Sequence, residues 1–262
     1  MWKRFALEEK SMNSTRKRRV SLLLICYLIL LPSCARQTQE GSANILTDEE
    51  TREGWKLLFD GMTTQGWRGA YRDSFPSKGW EVRDGMLIVQ ASGGGEAAFG
   101  GDIVTIDEYS DFELKVDFRL TEGANSGIKY FVTEEQPKTP GSALGLEYQI
   151  LDDARHPDAA MGIGGNRKLA SLYDLIPATG TRPEPIGEWN HARILVKGKY
   201  VEHWLNGVKV LAYDRGGEEF LVHKAESKFR ERAGFGEAEK GHILLQDHGN
   251  RVFFRSIKIR TF

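Results

Sequence analysis

Cysteine is nearly missing from these 262 residues: there are two, Cys26 and Cys34, both before residue 35. Beyond that point disulfides, thiolate metal sites and cysteine nucleophiles are excluded. Long apolar runs are scarce as well, and the foremost, Val20 to Leu31, is too short to span a bilayer. Strong helical periodicity is almost absent, which argues against a helical or alternating α/β domain. No Gly-x-x-x-x-Gly-Lys-Ser/Thr, Gly-x-Ser-x-Gly or His-Glu-x-x-His pattern occurs, and Gly162-Ile163-Gly164-Gly165 lacks a strand-then-helix context. Phosphate-loop, serine-hydrolase, zinc-protease and dinucleotide readings lose their support. Excess positive charge is missing too. Residues 1–34 hold seven Lys+Arg and two Asp+Glu, so the remainder has 29 basic and 35 acidic residues, net −6. Such a domain is a poor nucleic-acid binder.

What the N-terminus does contain is Arg16-Lys17-Arg18-Arg19 ahead of the apolar run, the charged and hydrophobic regions of a secretion signal. Leu31-Pro32-Ser33-Cys34 resembles the bacterial lipobox, whose cysteine carries the lipid after cleavage. This predicts a signal over 1–34, with Met12 as an alternative start, and lipidation at Cys34. Residues 35–45, rich in Gln, Ser, Gly and Asn, then form a tether, and 46–262 a single domain. The expected place is the bacterial cell envelope, periplasmic or outer-membrane, with membrane contact only through the lipid.

From Leu46 onward short β-rich runs recur, among them Met86 to Val89, Phe112 to Leu120, Ser126 to Val132, Leu146 to Leu151, Tyr200 to Leu205, His242 to Gln246 and Val252 to Ile259. Turns such as Arg83-Asp84-Gly85 and Leu205-Asn206-Gly207 separate them. Helices are predicted at Thr47 to Glu53, with Thr47 as N-cap, and at Lys224 to Arg232. The pattern fits an all-β jelly-roll sandwich of two antiparallel sheets.

Strand parity sorts the polar residues. In Phe112 to Leu120 the even-numbered apolar residues face the core, which leaves Glu113, Lys115, Asp117 and Arg119 facing solvent. In Leu146-Glu147-Tyr148-Gln149-Ile150-Leu151, Glu147 and Gln149 share the face away from the core, about 7 Å apart. Gln246 and His248 hold the same relation to Ile243 and Leu245. A dispersed set of chemistry-bearing residues results: Glu147, Gln149, Asp152, Asp153, His156, Tyr173, His203, Gln246, Asp247 and His248, with Lys129 as a cationic contact. Each has a plain structural alternative. Asp152 and Asp153 can shape a turn, His203 can be a buried structural histidine beside Trp204, and Tyr173, Trp67 and Trp204 can be core aromatics.

Gly54-Trp55-Lys56-Leu57-Leu58-Phe59-Asp60-Gly61, Trp80-Glu81-Val82-Arg83-Asp84-Gly85, Asn125-Ser126-Gly127-Ile128, Glu147-Tyr148-Gln149-Ile150-Leu151-Asp152, Glu188-Trp189-Asn190, His203-Trp204-Leu205-Asn206-Gly207 and Leu245-Gln246-Asp247-His248-Gly249 appear in this order. Together they resemble the 3-keto-disaccharide hydrolase domain family, formerly a domain of unknown function, over roughly residues 54 to 260. The resemblance implies a concanavalin A-like jelly roll and exported or lipid-anchored proteins acting on sugars oxidised at C3. Its substrate would be a small oxidised saccharide or glycoside.

A ketone at C3 acidifies the hydrogen on C2 and makes the glycosidic oxygen on C1 a leaving group for β-elimination; water added to the enone completes a hydrolysis. The route needs a base, an acid and stabilisation of the enolate. Glu147, His156 and His248 are the expected catalytic residues, and Lys129, Gln149, Tyr173, His203 and Gln246 the substrate contacts. A divalent cation of unknown identity, held by Glu147, Asp152 and His203, would serve the enolate. Two alternatives stand beside this. One is ordinary glycoside hydrolysis by Glu147 with Asp152 or Asp153; the other is a lectin-like module that binds carbohydrate without turnover.

Overall fold

The computed structural model describes residues 43–93, 95, 97, 99–135 and 143–262. The expected secretion signal, Cys34 and residues 35–42 of the expected tether lie outside the described residues. Period-two alternation becomes strands in chain order: β1 (Lys56–Leu57), β2 (Trp67–Gly69), β3 (Trp80–Arg83), β4 (Met86–Val89), β5 (Ile103–Thr105), β6 (Phe112–Leu120), β7 (Asn125–Val132), β8 (Leu146–Leu151), β9 (Trp189–Lys197), β10 (Tyr200–Leu205), β11 (Val208–Asp214), β12 (His242–Leu245) and β13 (Val252–Thr261). They form two antiparallel sheets. The larger has the order β11-β10-β9-β6-β13-β4-β3 with β1 on β13; the smaller has the order β2-β5-β12-β7-β8. Non-sequential neighbours such as β6 between β9 and β13 mark the jelly-roll crossing. Leu114, Val116 and Phe118 of one sheet and Ile128, Tyr130, Tyr148 and Ile150 of the other share one core.

β1, β2 and β5 have only two or three residues each, too few for alternation to be legible. Two short helices complete the frame. α1 (Asp48–Arg52) starts as predicted, with a capping box in which Thr47 accepts from the Glu50 amide and Glu50 reaches back to the Thr47 amide. α2 (Glu218–Glu226) lies six residues upstream of the predicted Lys224 to Arg232 helix. Phe220 anchors it by stacking on Tyr213 at 6.0 Å. It cannot continue, because Asp174 accepts the Lys228 amide at 2.8 Å and Phe229 turns inward to stack on Phe235 at 4.0 Å.

The expected solvent face of β6 needs a correction. Glu113 is buried, because Arg193 and Arg260 both bond its carboxylate. These arginines belong to a stack of cations and rings across the larger sheet: Arg119 lies 4.3 Å from the Phe253 centroid, Arg255 4.0 Å from Trp189, and Arg193 4.5 Å from Trp204. Trp204 therefore serves this layer and no sugar platform.

Candidate active site

The outer face of the smaller sheet carries the chemistry, and register arranges it in rows. Gly127 stands opposite Gln149, and the Gln246 amide donates to the Gly127 carbonyl at 3.0 Å. One step along, Leu244 pairs with Lys129 and Lys129 with Glu147. Asn125, two residues before Gly127, shares that face. These polar side chains, with His248, line a cavity of about 330 Å³. Glu147 and Gln149 do point away from the core, yet they are buried, since loops roof the face that parity alone would leave open.

Each floor residue has a local reason to be where it is. A Cβ on Gly127 would overlap the Glu147 carboxylate, so the glycine lets that carboxylate lie across β7. Lys129 is held by the Ala143 carbonyl, to which it donates at 3.3 Å, and by Asp102 at 3.6 Å. The Asp247 carboxylate accepts from the amides of Gly100, Gly101 and Gly249 at 2.9–3.0 Å. Asp247 thus points inward and ties two loops, while its neighbours Gln246 and His248 reach the cavity.

A strap closes one side. Residues 170–173 run along the free edge of β8: the Gln149 amide donates to Ser171 O at 3.1 Å, Ala170 to Gln149 O at 2.8 Å and Tyr173 to Glu147 O at 3.0 Å. Tyr173 reaches the cavity and donates its hydroxyl to Asp158 at 2.8 Å; burial and that carboxylate both raise its pKa. Burial would lower the pKa of Arg167, but bonds to Asp158 at 2.9 Å and Asp174 at 2.5 Å raise it instead. On the opposite side Tyr71 lines the cavity with φ +60°, a costly left-handed conformation for a tyrosine. Glu134 fixes it by accepting the Tyr71 amide, and Arg68 pairs with Glu134 at 2.8 Å.

Other predicted site residues fall elsewhere. His203 lies in the core between the sheets, where Val201, His203 and Leu205 share the inward face. Its Nδ1–H donates to Ala170 O at 2.9 Å, so Nε2 accepts from the Tyr130 hydroxyl at 2.8 Å. It contacts neither substrate space nor a metal position. Asp152 caps a turn, accepting from the amides of Gly123 at 2.8 Å and Ala154 at 3.1 Å. Asp153 accepts from the Leu169 amide at 2.8 Å. Neither aspartate lines the cavity, so the pairing with Glu147 expected of a two-carboxylate hydrolase is not assembled. The ligand set Glu147, Asp152 and His203 is likewise dispersed over cavity, turn and core. Among the described residues no group of three His, Cys, Asp or Glu stands close enough to hold one ion. His156 backs the site without lining it: its ring meets that of His248 edge-on at 5.8 Å, and its Nδ1 accepts from the Asp158 amide at 3.2 Å. Burial lowers its pKa.

His203 gives this region a pH signature. Burial depresses its pKa from 6.5 to about 4. The unfolded chain takes up a proton that the folded one refuses, so folding stability, full above about pH 6.5, falls as pH drops towards 4. The expected loss is on the order of 3 kcal/mol. Denaturant unfolding across that window should show this slope, and His203→Gln should flatten it; an unchanged slope would assign the acid sensitivity to other groups.

Asn125, Tyr71, Lys228 and Arg232 also line the cavity and were not expected there. Asn125 had a readable signal, since it has the same parity as Gly127 and Lys129. The other three come from loops, where no periodicity exists.

The sequence profile of the 3-keto-α-glucoside-1,2-lyase-like domain matches residues 54–260. The chain belongs to this family. A 3-keto-disaccharide hydrolase from Bacteroides thetaiotaomicron is 38% identical over 230 residues, covering 80% of this chain and 79% of the relative. A crystal structure of a candidate glycosyl hydrolase from Parabacteroides distasonis is 32% identical with a TM-score of 0.75, over 84% of this chain and 99% of the other. A second such structure from the same organism is 28% identical with a TM-score of 0.56, over 75% and 99%. The 3-keto-α-glucoside-1,2-lyase-like match takes in the strands of both sheets apart from Thr261 at the end of β13, and every cavity residue named above; α1 precedes it.

Proposed function

We propose that this protein cleaves the glycosidic bond of sugars oxidised to a ketone at C3, by β-elimination followed by hydration. One observation carries the reading: among the described residues Glu147 is the single carboxylate lining the cavity, and its register partner across the β7–β8 pair is Lys129, which lines the same cavity. A base and a positive charge with no second carboxylate suit proton abstraction next to a carbonyl better than two-carboxylate hydrolysis. The names of the relatives agree with this chemistry.

In this mechanism Glu147 removes the proton on C2, and the electron pair moves onto the C3 oxygen. Lys129 faces that oxygen and stabilises the enolate. Collapse of the enolate breaks the bond from C1 to the glycosidic oxygen, and His248 gives that oxygen a proton. Water then adds at C1 and a proton returns to C2, so the sum is hydrolysis without redox change. Tyr173 and Gln246 hold the sugar against the floor. A bound divalent cation, if the enzyme takes one, would add charge at the same oxygen, but its expected ligands are not assembled and no step runs through it.

The test is incubation of the protein with one disaccharide in its 3-keto and unoxidised forms, with and without chelator. Cleavage of the keto form alone is expected; equal cleavage of both would overturn the proposal, and binding without turnover would favour a lectin. Turnover that survives chelator assigns the enolate to Lys129, whereas its loss assigns it to a cation. Export with a lipid on Cys34 belongs to the same proposal. Cys34→Ser should move the protein from the membrane fraction to the soluble one, and unchanged fractionation would remove the anchor.

A further inference from the structure

We infer that Asn125 and Gln149 form a subsite that reads free hydroxyl groups on the sugar ring bound over Glu147, selecting saccharides unsubstituted along that edge. The inference deepens the proposed function and rests on its saccharide reading, not on its elimination steps. Gln149 is 1% exposed and Asn125 3% exposed, and both line the cavity. Gln149 Oε1 and Asn125 Oδ1 are buried acceptors without a hydrogen-bond partner. Native interiors rarely leave such atoms unsatisfied, so two in one cavity point to a ligand that supplies the donors. The Gln149 amide is already oriented, because its Nε2 donates to Arg167 O at 3.4 Å and leaves the oxygen turned the other way. Asn125 pairs with Leu151 and Gly127 with Gln149, which makes Asn125 and Gln149 diagonal neighbours on one face. Their Cα separation of about 7–8 Å is matched to two positions on one pyranose.

The chemistry of the donors follows from the surroundings. Lys129, Lys228 and Arg232 also line the cavity, which disfavours an ammonium ligand and leaves neutral hydroxyls. A carbonyl, ether, ester or sulfate oxygen offers no proton and would set acceptor against acceptor. The C3 ketone is therefore disfavoured beside the two amide oxygens and directed to the donor side at Lys129. Opposed hydrogen-bond polarity thus orients the ring for proton removal at C2.

Calorimetric binding of methyl 3-keto-α-glucoside and its 2-, 4- and 6-deoxy forms tests this. In the unaltered protein at least one deoxy probe should bind about 10- to 100-fold more weakly than the parent. That penalty should shrink to within about threefold in Asn125→Ala or Gln149→Met. Melting of ligand-free Gln149→Met should fall by no more than about 2–4 °C, the effect of losing the one long bond from Nε2 to Arg167 O; a larger fall would mark the glutamine as structural. Equal binding of all probes by the unaltered protein overturns the inference, as does a deoxy penalty that persists in both variants or a parent probe that does not bind. Parent glycoside bound but never cleaved would instead count against the elimination mechanism alone.

Discussion

Glu147→Gln is expected to lower kcat on a 3-keto disaccharide by about 10³-fold while leaving KM within a few-fold. Gln keeps the shape and hydrogen-bonding reach of the side chain but cannot accept the C2 proton. Lys129 retains Asp102 at 3.6 Å and Ala143 O at 3.3 Å, so the floor keeps its charge balance near β7. Steady-state kinetics check the size of the effect, and proton exchange checks its cause. In deuterated water the unaltered enzyme should place deuterium at C2 of the substrate, and the variant should not. A fall of less than about tenfold, or unchanged exchange, would take the base role away from Glu147.

Gly127→Ala should cost about 100-fold in kcat with a stability change within about 1 kcal/mol. An added Cβ would overlap the Glu147 carboxylate, the far end of a flexible side chain, so the strand tolerates the methyl while the carboxylate swings off its position. Loss of activity without loss of folding is the signature, read from kinetics and thermal melts together. Shortening the acid in the double variant Gly127→Ala with Glu147→Asp should recover part of the rate. Equal activity of Gly127→Ala and the parent would show that the carboxylate works from another position.

Much of the fold was legible because half-buried antiparallel strands write their orientation into every second residue. Parity placed Glu147, Gln149, Gln246 and His248 on one side of their strands, and register in the structure brings them to one cavity. The same rule applied to Val201, Glu202, His203, Trp204 and Leu205 would have sent His203 inward with its apolar neighbours. Its chemical versatility outweighed its position in the sequence reading, and the position was the better guide. Asp152 and Asp153 lie at the strand end, where alternation stops and backbone capping decides direction. Tyr71, Lys228 and Arg232 depend on contacts across many residues: Glu134 turns the backbone at Tyr71, and Asp174 halts the chain at Lys228. Glu113 was misread because the outward face of a strand can itself be covered by long arginines.

The alternation at Gln246, Asp247 and His248 also bears on how this site can change over evolutionary time. Three successive side chains point outward, inward and outward again, and the inward one stitches Gly100, Gly101 and Gly249 together. Deleting or inserting one residue here would turn the stitching carboxylate into the cavity and drive the amide and imidazole towards the core. Residue identity at the outward positions can change only as far as the chemistry of the cavity permits, and the length of the stretch cannot change at all. Descendants of this enzyme would vary there by exchange alone and change their loop lengths elsewhere.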